Sequence, residues 1–112
     1  MPEITWQQFE AVEMRCGTVM AAEEFPEARK PAYRITVDFG PHIGQRRTSA
    51  QVTTAYSPAE LVGKQVMGVI NFPAKQIGPF RSEFLLVGFY RADGAVILAV
   101  PDRPVQDGAR VG

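Results

Sequence analysis

Cysteine and histidine are each present once in this sequence of 112 residues. The one cysteine, Cys16, excludes an intramolecular disulfide, and its isolation agrees with a reducing compartment. The one histidine, His42, lies in a turn rich in proline and glycine and has too few neighbouring ligands for a metal site. Nothing indicates a nucleophile–base pair, and no phosphate-binding glycine loop or HExxH motif occurs. We therefore expect no enzyme activity, no metal and no cofactor.

Long apolar runs are also missing. The longest covers residues 95–100, far fewer than the roughly 20 residues that cross a bilayer. Residues 1–10 lack the basic start and apolar stretch of a signal peptide. These absences predict a cytoplasmic protein without membrane insertion. The hydrophobic fraction of 46% is enough for the core of one domain spanning residues 1–112.

The charges sum to zero, with 12 basic and 12 acidic residues, which argues against non-specific binding to nucleic acid. Their distribution along the chain is uneven. Residues 1–28 contain one basic and six acidic residues, whereas residues 29–91 contain nine basic and three acidic ones. A basic middle can create a local positive face, or the segregation can cancel when the chain folds. The sequence leaves both alternatives open.

Alternation of apolar and polar residues predicts a mainly β protein. It is clearest at residues 33–39, where Tyr33, Ile35, Val37 and Phe39 share the face expected to point to the core. Gly17 predicts a bend or bulge inside the first strand. The other strands are predicted at residues 15–25, 45–52, 65–72, 81–90 and 95–100, with a proline-bounded loop at 73–79.

Two short helices are predicted from capping patterns. Thr5, with Gln8 three positions later, caps a helix over residues 5–13, and Ser57 begins a helical turn that ends at Gly63. A helical turn between the third and fourth strands favours an OB-type barrel over the main alternative, an SH3-like barrel. We therefore predict an all-β fold, a five-stranded OB-fold Greek-key barrel over about residues 14–91. A short N-terminal helix and an extra C-terminal strand and tail flank it.

Several segments, in this order and spacing, resemble the tRNA-binding-domain family of OB folds. They are MRCGTV at 14–19, EFPEARKPA at 24–32, ITVDFG at 35–40, SAQ at 49–51, LVGK at 61–64, NFP at 71–73 and FRSE at 80–83. Within the family, the segments resemble a stand-alone bacterial branch, described as export-related chaperones, more than the modules attached to synthetases. This resemblance implies a dimeric cytoplasmic protein that binds unfolded or pre-secretory polypeptides, with a link to the secretion machinery.

The resemblance also implies an alternative, a tRNA-binding module that acts through the barrel face. Family members attached to synthetases carry glycine and methionine where this chain has Phe84 and Leu85, and Ser-Gly where it has Ser49-Ala50. A phenylalanine in place of glycine blocks close approach of a ligand to the backbone. This departure favours the polypeptide-binding hypothesis over tRNA.

An OB barrel binds extended polymers across the face of its second and third strands and the adjoining loops. That face offers basic and short polar residues, and Phe72 and Phe80 flank the proline-bounded loop. Strand alternation places the adjacent Arg46 and Arg47 on opposite faces. The predicted peptide- or RNA-binding residues are Arg34, Arg46, Arg47, Ser49, Asn71, Phe72, Lys75, Gln76, Phe80, Arg81 and Ser82.

The two ends of the chain carry more apolar residues than a closed barrel requires. The helical stripe near the start and the continuous run at 95–100 predict a homodimer interface. The alternative is that the helix caps the barrel and the last strand packs against it. The predicted interface residues are Trp6, Phe9, Val12, Val96, Leu98 and Val100.

Overall fold

The computed structural model describes residues 1–112. Helix α1 (Trp6–Glu10) begins as predicted, because Thr5 and Gln8 form a reciprocal capping box. It ends before residue 13, since the side-chain oxygen of Asn71 accepts the Glu13 N–H and the Glu13 carbonyl accepts the Ile70 N–H. Helix α2 (Pro58–Leu61) is capped by Ser57 and Glu60 in the same way. Neither helix has the length needed to cross a bilayer.

Nine strands follow one another along the chain. They are β1 (Met14–Glu24), β2 (Tyr33–Asp38), β3 (Gln45–Ala50), β4 (Gln65–Val69), β5 (Lys75–Ile77), β6 (Phe80–Ser82), β7 (Leu85–Leu86), β8 (Gly88–Tyr90) and β9 (Val96–Leu98). Five of them form the main antiparallel sheet in the order β3-β2-β1-β4-β7, and two further hairpins pair β5 with β6 and β8 with β9. The sheet curls into a nearly closed barrel, as predicted.

Strand β1 turns a corner of the barrel. Its first half pairs with β4 and its second half with β2, with an irregular register between Val19 and Ala21. A Cβ on Gly17 would lie 2.6 Å from Val37 Cγ1 and 2.8 Å from the Asp38 carbonyl oxygen. Only glycine fits this crossing without a shift. Gly17 therefore marks a close approach of two strands, and the irregularity in register lies beyond it, between Val19 and Ala21.

A seam of side-chain hydrogen bonds joins β3 to the β6–β7 segment and closes the barrel. Thr48 Oγ1 donates to the Phe84 carbonyl at 2.8 Å and lies 3.1 Å from Ser82 Oγ. The Ser49 N–H donates to Ser82 Oγ at 3.3 Å. The Glu83 N–H donates to the Arg47 carbonyl at 2.8 Å, and Glu83 Oε1 accepts the Arg47 N–H at 3.0 Å. Side chains thus supply part of the pairing that backbone groups supply elsewhere.

The region after β4 differs from the sequence prediction. Residues 73–79, predicted as a loop, contain β5, which pairs with β6 around a turn where Gly78 has a positive φ of 55°. The strand predicted at 81–90 is divided into β6, β7 and β8. The division lies at Glu83 and Phe84, where the chain bonds to β3, and at Val87, where it bonds to Met67 and Ala99. Alternation cannot reveal such a change of partner.

Eleven buried residues form one core cluster. Tyr33, Ile35, Val37 and Phe39 all belong to it, as their alternation predicted. Leu98 also belongs to it and is 5% exposed. This corrects the expectation that Leu98 lies in a dimer interface, because its own chain already covers almost all of its side chain.

The C-terminal tail is docked rather than loose. The Cys16 N–H donates to the Ala109 carbonyl at 2.9 Å, and the Gly108 N–H donates to the Cys16 carbonyl at 2.7 Å. Arg110 donates to the Glu10 carbonyl and forms an ion pair with Glu13. The tail therefore holds the end of α1 against the barrel.

Candidate binding groove

Three adjoining cavities meet at the end of β3 and form one groove, here named the β3-end groove. Ser49 and Gln51 line all three cavities, whose volumes are about 260, 340 and 550 Å³. We name them, in that order, the apolar slot, the middle section and the basic cleft. Their shared lining places the three cavities side by side along the residues that leave β3.

The apolar slot lies between the end of β3 and the β8–β9 hairpin. Two aromatic hydroxyls hold this hairpin against the barrel, since Tyr33 Oη donates to the Tyr56 carbonyl at 2.7 Å and Tyr56 Oη accepts the Leu98 N–H at 3.0 Å. Apart from Ser49 and Gln51, every lining residue is apolar or aromatic. They are Ala50, Val52, Leu85, Leu86, Tyr90, Val96 and Leu98.

The middle section lies over the barrel seam. Its polar floor consists of Thr48, Ser49 and Ser82. The hydroxyls of Thr48 and Ser82 bond to each other in the seam, whereas Ser49 contributes only its backbone N–H to it. Phe72, with 51% of its surface exposed, and Leu85 form apolar walls. This section therefore offers apolar contact surface, and its free hydrogen-bonding groups are those of Ser49, Gln51 and Lys75.

The basic cleft lies between the loop after β1 and the β5–β6 hairpin. It is lined by Arg29, Lys30 and Lys75, with Glu27 as its one acidic residue. None of the three cations forms an ion pair within the chain. Gln51 is exposed, and neither its backbone nor its side chain makes a hydrogen bond within the chain. These groups remain available to a ligand.

The predicted site residues therefore separate into three groups. Those that line the β3-end groove are Ser49, Phe72, Lys75, Gln76 and Ser82. A second group lies on the outer face of β2 and β3, where Arg34 stacks on Phe25 at 5.4 Å and Arg47 stacks on Phe80 at 4.8 Å. The two rings contact each other, with centroids 5.4 Å apart.

Phe80 is only 3% exposed beneath Arg47, so the expectation that it contacts a ligand directly is corrected. Phe25 is equally buried, and Phe84 is 4% exposed. Base stacking needs an open ring face. The outer face therefore presents guanidinium groups and not aromatic rings.

The third group supports the fold or lies beside the groove. Arg46 is turned away from Arg47, as predicted from their adjacency, and donates to the Ile70 carbonyl at 2.7 Å. Asn71 bonds to Ala11 and Glu13, so it attaches the end of α1 to the barrel. Arg81 is exposed opposite Gln76 in the β5–β6 hairpin but lines none of the three cavities.

Several lining residues were missed by the sequence prediction, namely Gln51, Arg29, Lys30, Leu85 and Tyr90. Arg29 and Lys30 carried a usable signal. They occupy the loop between the first two strands, which walls the ligand face in OB folds. The sequence contained no signal for the contribution of Tyr90, since that contribution depends on how the β8–β9 hairpin folds back.

A separate exposed apolar surface lies near the N-terminus. Trp6 is 63% exposed and Val12 39%, and the rings of Trp6 and Phe9 lie 5.5 Å apart. Val100 is 53% exposed, whereas Val96 packs partly against the core.

Two titratable groups, Cys16 and Glu13, have shifted pKa values. Burial, and then the charge of Asp107, raise the pKa of the Cys16 thiol, which is 3% exposed. A hydrogen bond from Arg15 lowers the pKa of Glu13, and the charges of Arg110 and Arg15 lower it further. Desolvation acts in the opposite direction and offsets part of this effect. No three His, Cys, Asp or Glu side chains lie close enough together to hold a metal ion.

The barrel and its open groove define an OB-fold binding module. The chain belongs to the tRNA-binding-domain family, because the family model of the tRNA binding domain matches residues 14–110. This confirms the family resemblance seen in the sequence.

Comparison with curated proteins and solved structures adds two kinds of relative. A methionine–tRNA ligase of Porphyromonas gingivalis is 32% identical over 109 residues, which are 97% of this chain and 16% of the ligase. The crystal structure of the chaperone CsaA from Bacillus anthracis has a TM-score of 0.92 and 39% identity, covering 99% of this chain and 100% of CsaA. The CsaA chaperone protein from Picrophilus torridus gives the same TM-score and identity, covering 98% and 100%. The chain spans about one sixth of the ligase but the full length of the CsaA structures.

Proposed function

We propose that the chain is a chaperone that binds unfolded or pre-secretory polypeptides in the β3-end groove. The observation that carries this proposal is a set of adjoining cavities with an apolar end, a basic end and the unbonded polar groups of Gln51 in their shared lining. An extended polypeptide presents apolar side chains, charged side chains and free backbone groups together. The full-length likeness to two CsaA chaperones supports the same function.

Binding of tRNA is the second candidate, and the outer face of β2 and β3 favours it. Arg34 and Arg47 present guanidinium groups there, and such groups bind phosphates. The likeness to a methionine–tRNA ligase supports the same partner. Burial of Phe25 and Phe80 beneath these arginines removes base stacking from that face, which is why we rank this candidate second.

The proposal includes a homodimer that acts in the cytoplasm before export, in contact with the secretion machinery. The exposed side chains of Trp6, Val12 and Val100 support a partner surface at the chain ends. Light scattering at micromolar concentration should give twice the mass of the chain, and Trp6→Glu should reduce it. A monomer would contradict the dimer.

Titration against a reduced, carboxymethylated protein and against total tRNA, each at two salt concentrations, tests the main choice. Polypeptide affinity should fall less steeply with salt than tRNA affinity, because only the basic cleft contributes charge to it. It should also be weaker in the variant Leu85→Ser, whose side chain lines the apolar slot. Affinity for tRNA should fall steeply as the salt concentration rises, and it should be lower in the variant Arg47→Gln than in the parent chain. Tight binding of tRNA with no binding of unfolded polypeptide would refute the chaperone proposal.

A further inference from the structure

We infer that the β3-end groove selects extended segments in which an apolar side chain lies within a few residues of an acidic one. This inference rests on the proposed polypeptide binding and names the class of segment that the groove prefers. An unfolded chain without acidic residues would bind more weakly than a chain that has them and has the same apolar content.

The apolar end of the groove sets the first requirement. No charged residue lines the apolar slot, and its Tyr90 and Leu85 are 87% and 48% exposed. Covering these side chains with an apolar group removes them from water, whereas a charged group there would lose hydration without gaining a partner.

The basic end sets the second requirement. Of the 12 lysines and arginines, Arg15, Arg34, Arg103 and Arg110 form ion pairs with acidic residues, and the other eight form none. Three of these eight, Arg29, Lys30 and Lys75, line one cleft, and Glu27 offsets only one of the three charges. A carboxylate is the group in a polypeptide that complements this excess.

The distance between the two ends sets the spacing. Ser49 and Gln51 line both the apolar slot and the basic cleft, so the two regions lie within side-chain reach of the same short stretch of backbone. An extended chain advances about 3.3 Å per residue, so the apolar and acidic side chains should be roughly two to four residues apart. The unbonded groups of Gln51 lie between them and can bond the client backbone.

Three labelled synthetic peptides of equal length test the inference by fluorescence anisotropy. One combines leucine and aspartate at this spacing, one replaces each aspartate by lysine, and one replaces each leucine by serine. The leucine–aspartate peptide should bind most tightly to the full chain. The double variant Lys30→Gln/Lys75→Gln should weaken its binding roughly two- to tenfold, since each exposed charge pair contributes modestly.

Lys64→Gln is the matched control, because Lys64 is an exposed lysine in the turn before β4 and lines none of the three cavities. It should leave the affinity unchanged. Equal affinity for the aspartate and lysine peptides, or equal losses in both variants, would overturn the inferred preference while polypeptide binding stands. If neither the peptides nor carboxymethylated protein bind, the proposed function itself is overturned.

Discussion

Replacing Thr48 with valine removes the central hydroxyl of the barrel seam. The Thr48 side chain is 2% exposed, and its hydroxyl donates to the Phe84 carbonyl at 2.8 Å. Because the Thr48 hydroxyl donates its proton to the Phe84 carbonyl, it acts as the acceptor of the hydrogen bond from the Ser82 hydroxyl, 3.1 Å away. Valine has nearly the same shape, so it creates no cavity. It leaves the Phe84 carbonyl without this donor.

The expected cost follows from these contacts. A buried carbonyl left without a partner costs about 1–3 kcal/mol, and the half-buried Ser82 can turn towards water at little further cost. We expect Thr48→Val to lower the free energy of unfolding by about 2 kcal/mol, or the melting temperature by about 8 °C. Ser82→Ala should cost about 1 kcal/mol, and the double variant should cost less than the sum because the two hydroxyls share one bond.

Urea unfolding followed by circular dichroism measures these differences. Thr36→Val is the matched control, since Thr36 lies on β2 beside Arg47, and its hydroxyl makes no hydrogen bond within the chain. It should change the stability by no more than about 0.5 kcal/mol. Equal stability of the two valine variants would refute the view that side-chain hydrogen bonds close the barrel.

Three further predictions concern strand β1 and its surroundings. Gly17→Ala should destabilise the fold by about 3 kcal/mol, since the added methyl group meets backbone at the crossing, and an unchanged urea midpoint would contradict this. The pKa of Glu13 is lower in the folded chain than in the unfolded chain, where it is about 4.3. The ionised carboxylate therefore stabilises the fold above the unfolded pKa, and this stabilisation is lost as the pH falls through the folded-state pKa. The melting temperature of Glu13→Gln should therefore fall less than that of the parent chain between about pH 6 and pH 3; parallel curves would refute the link. Burial and a raised pKa should make Cys16 react with a thiol reagent such as dithionitrobenzoate only as fast as the chain opens, and complete labelling within the mixing time would exclude this.

Much of the barrel could be predicted from local patterns. The alternation at residues 33–39 identified β2 and its core face, because one side of an antiparallel strand in a barrel faces the interior. The capping residues Thr5 and Ser57 located both helix starts, since their hydrogen bonds join residues three positions apart. The close crossing at Gly17 was indicated by a lone glycine within a strand pattern.

The candidate site was predicted less completely. Ser49, Lys75 and Gln76 were expected near a ligand face and do line the groove, whereas Phe80 is covered by Arg47. Whether an aromatic residue beside a loop is open or covered depends on which residue from another strand lies over it. The sequence contains no signal for that contact.

The sequence by itself determined the elements whose causes are local: the strand periodicity, the helix caps, the glycine crossing and the order of motifs that marks the family. Only the tertiary structure decided where the C-terminal hairpin and tail pack on the barrel. Leu98 entered the core, the tail at Gly108 and Ala109 paired with β1, and Tyr90 came to wall a slot beside β3. These placements depend on contacts between segments far apart in the chain. No periodicity within either segment records its distant partner.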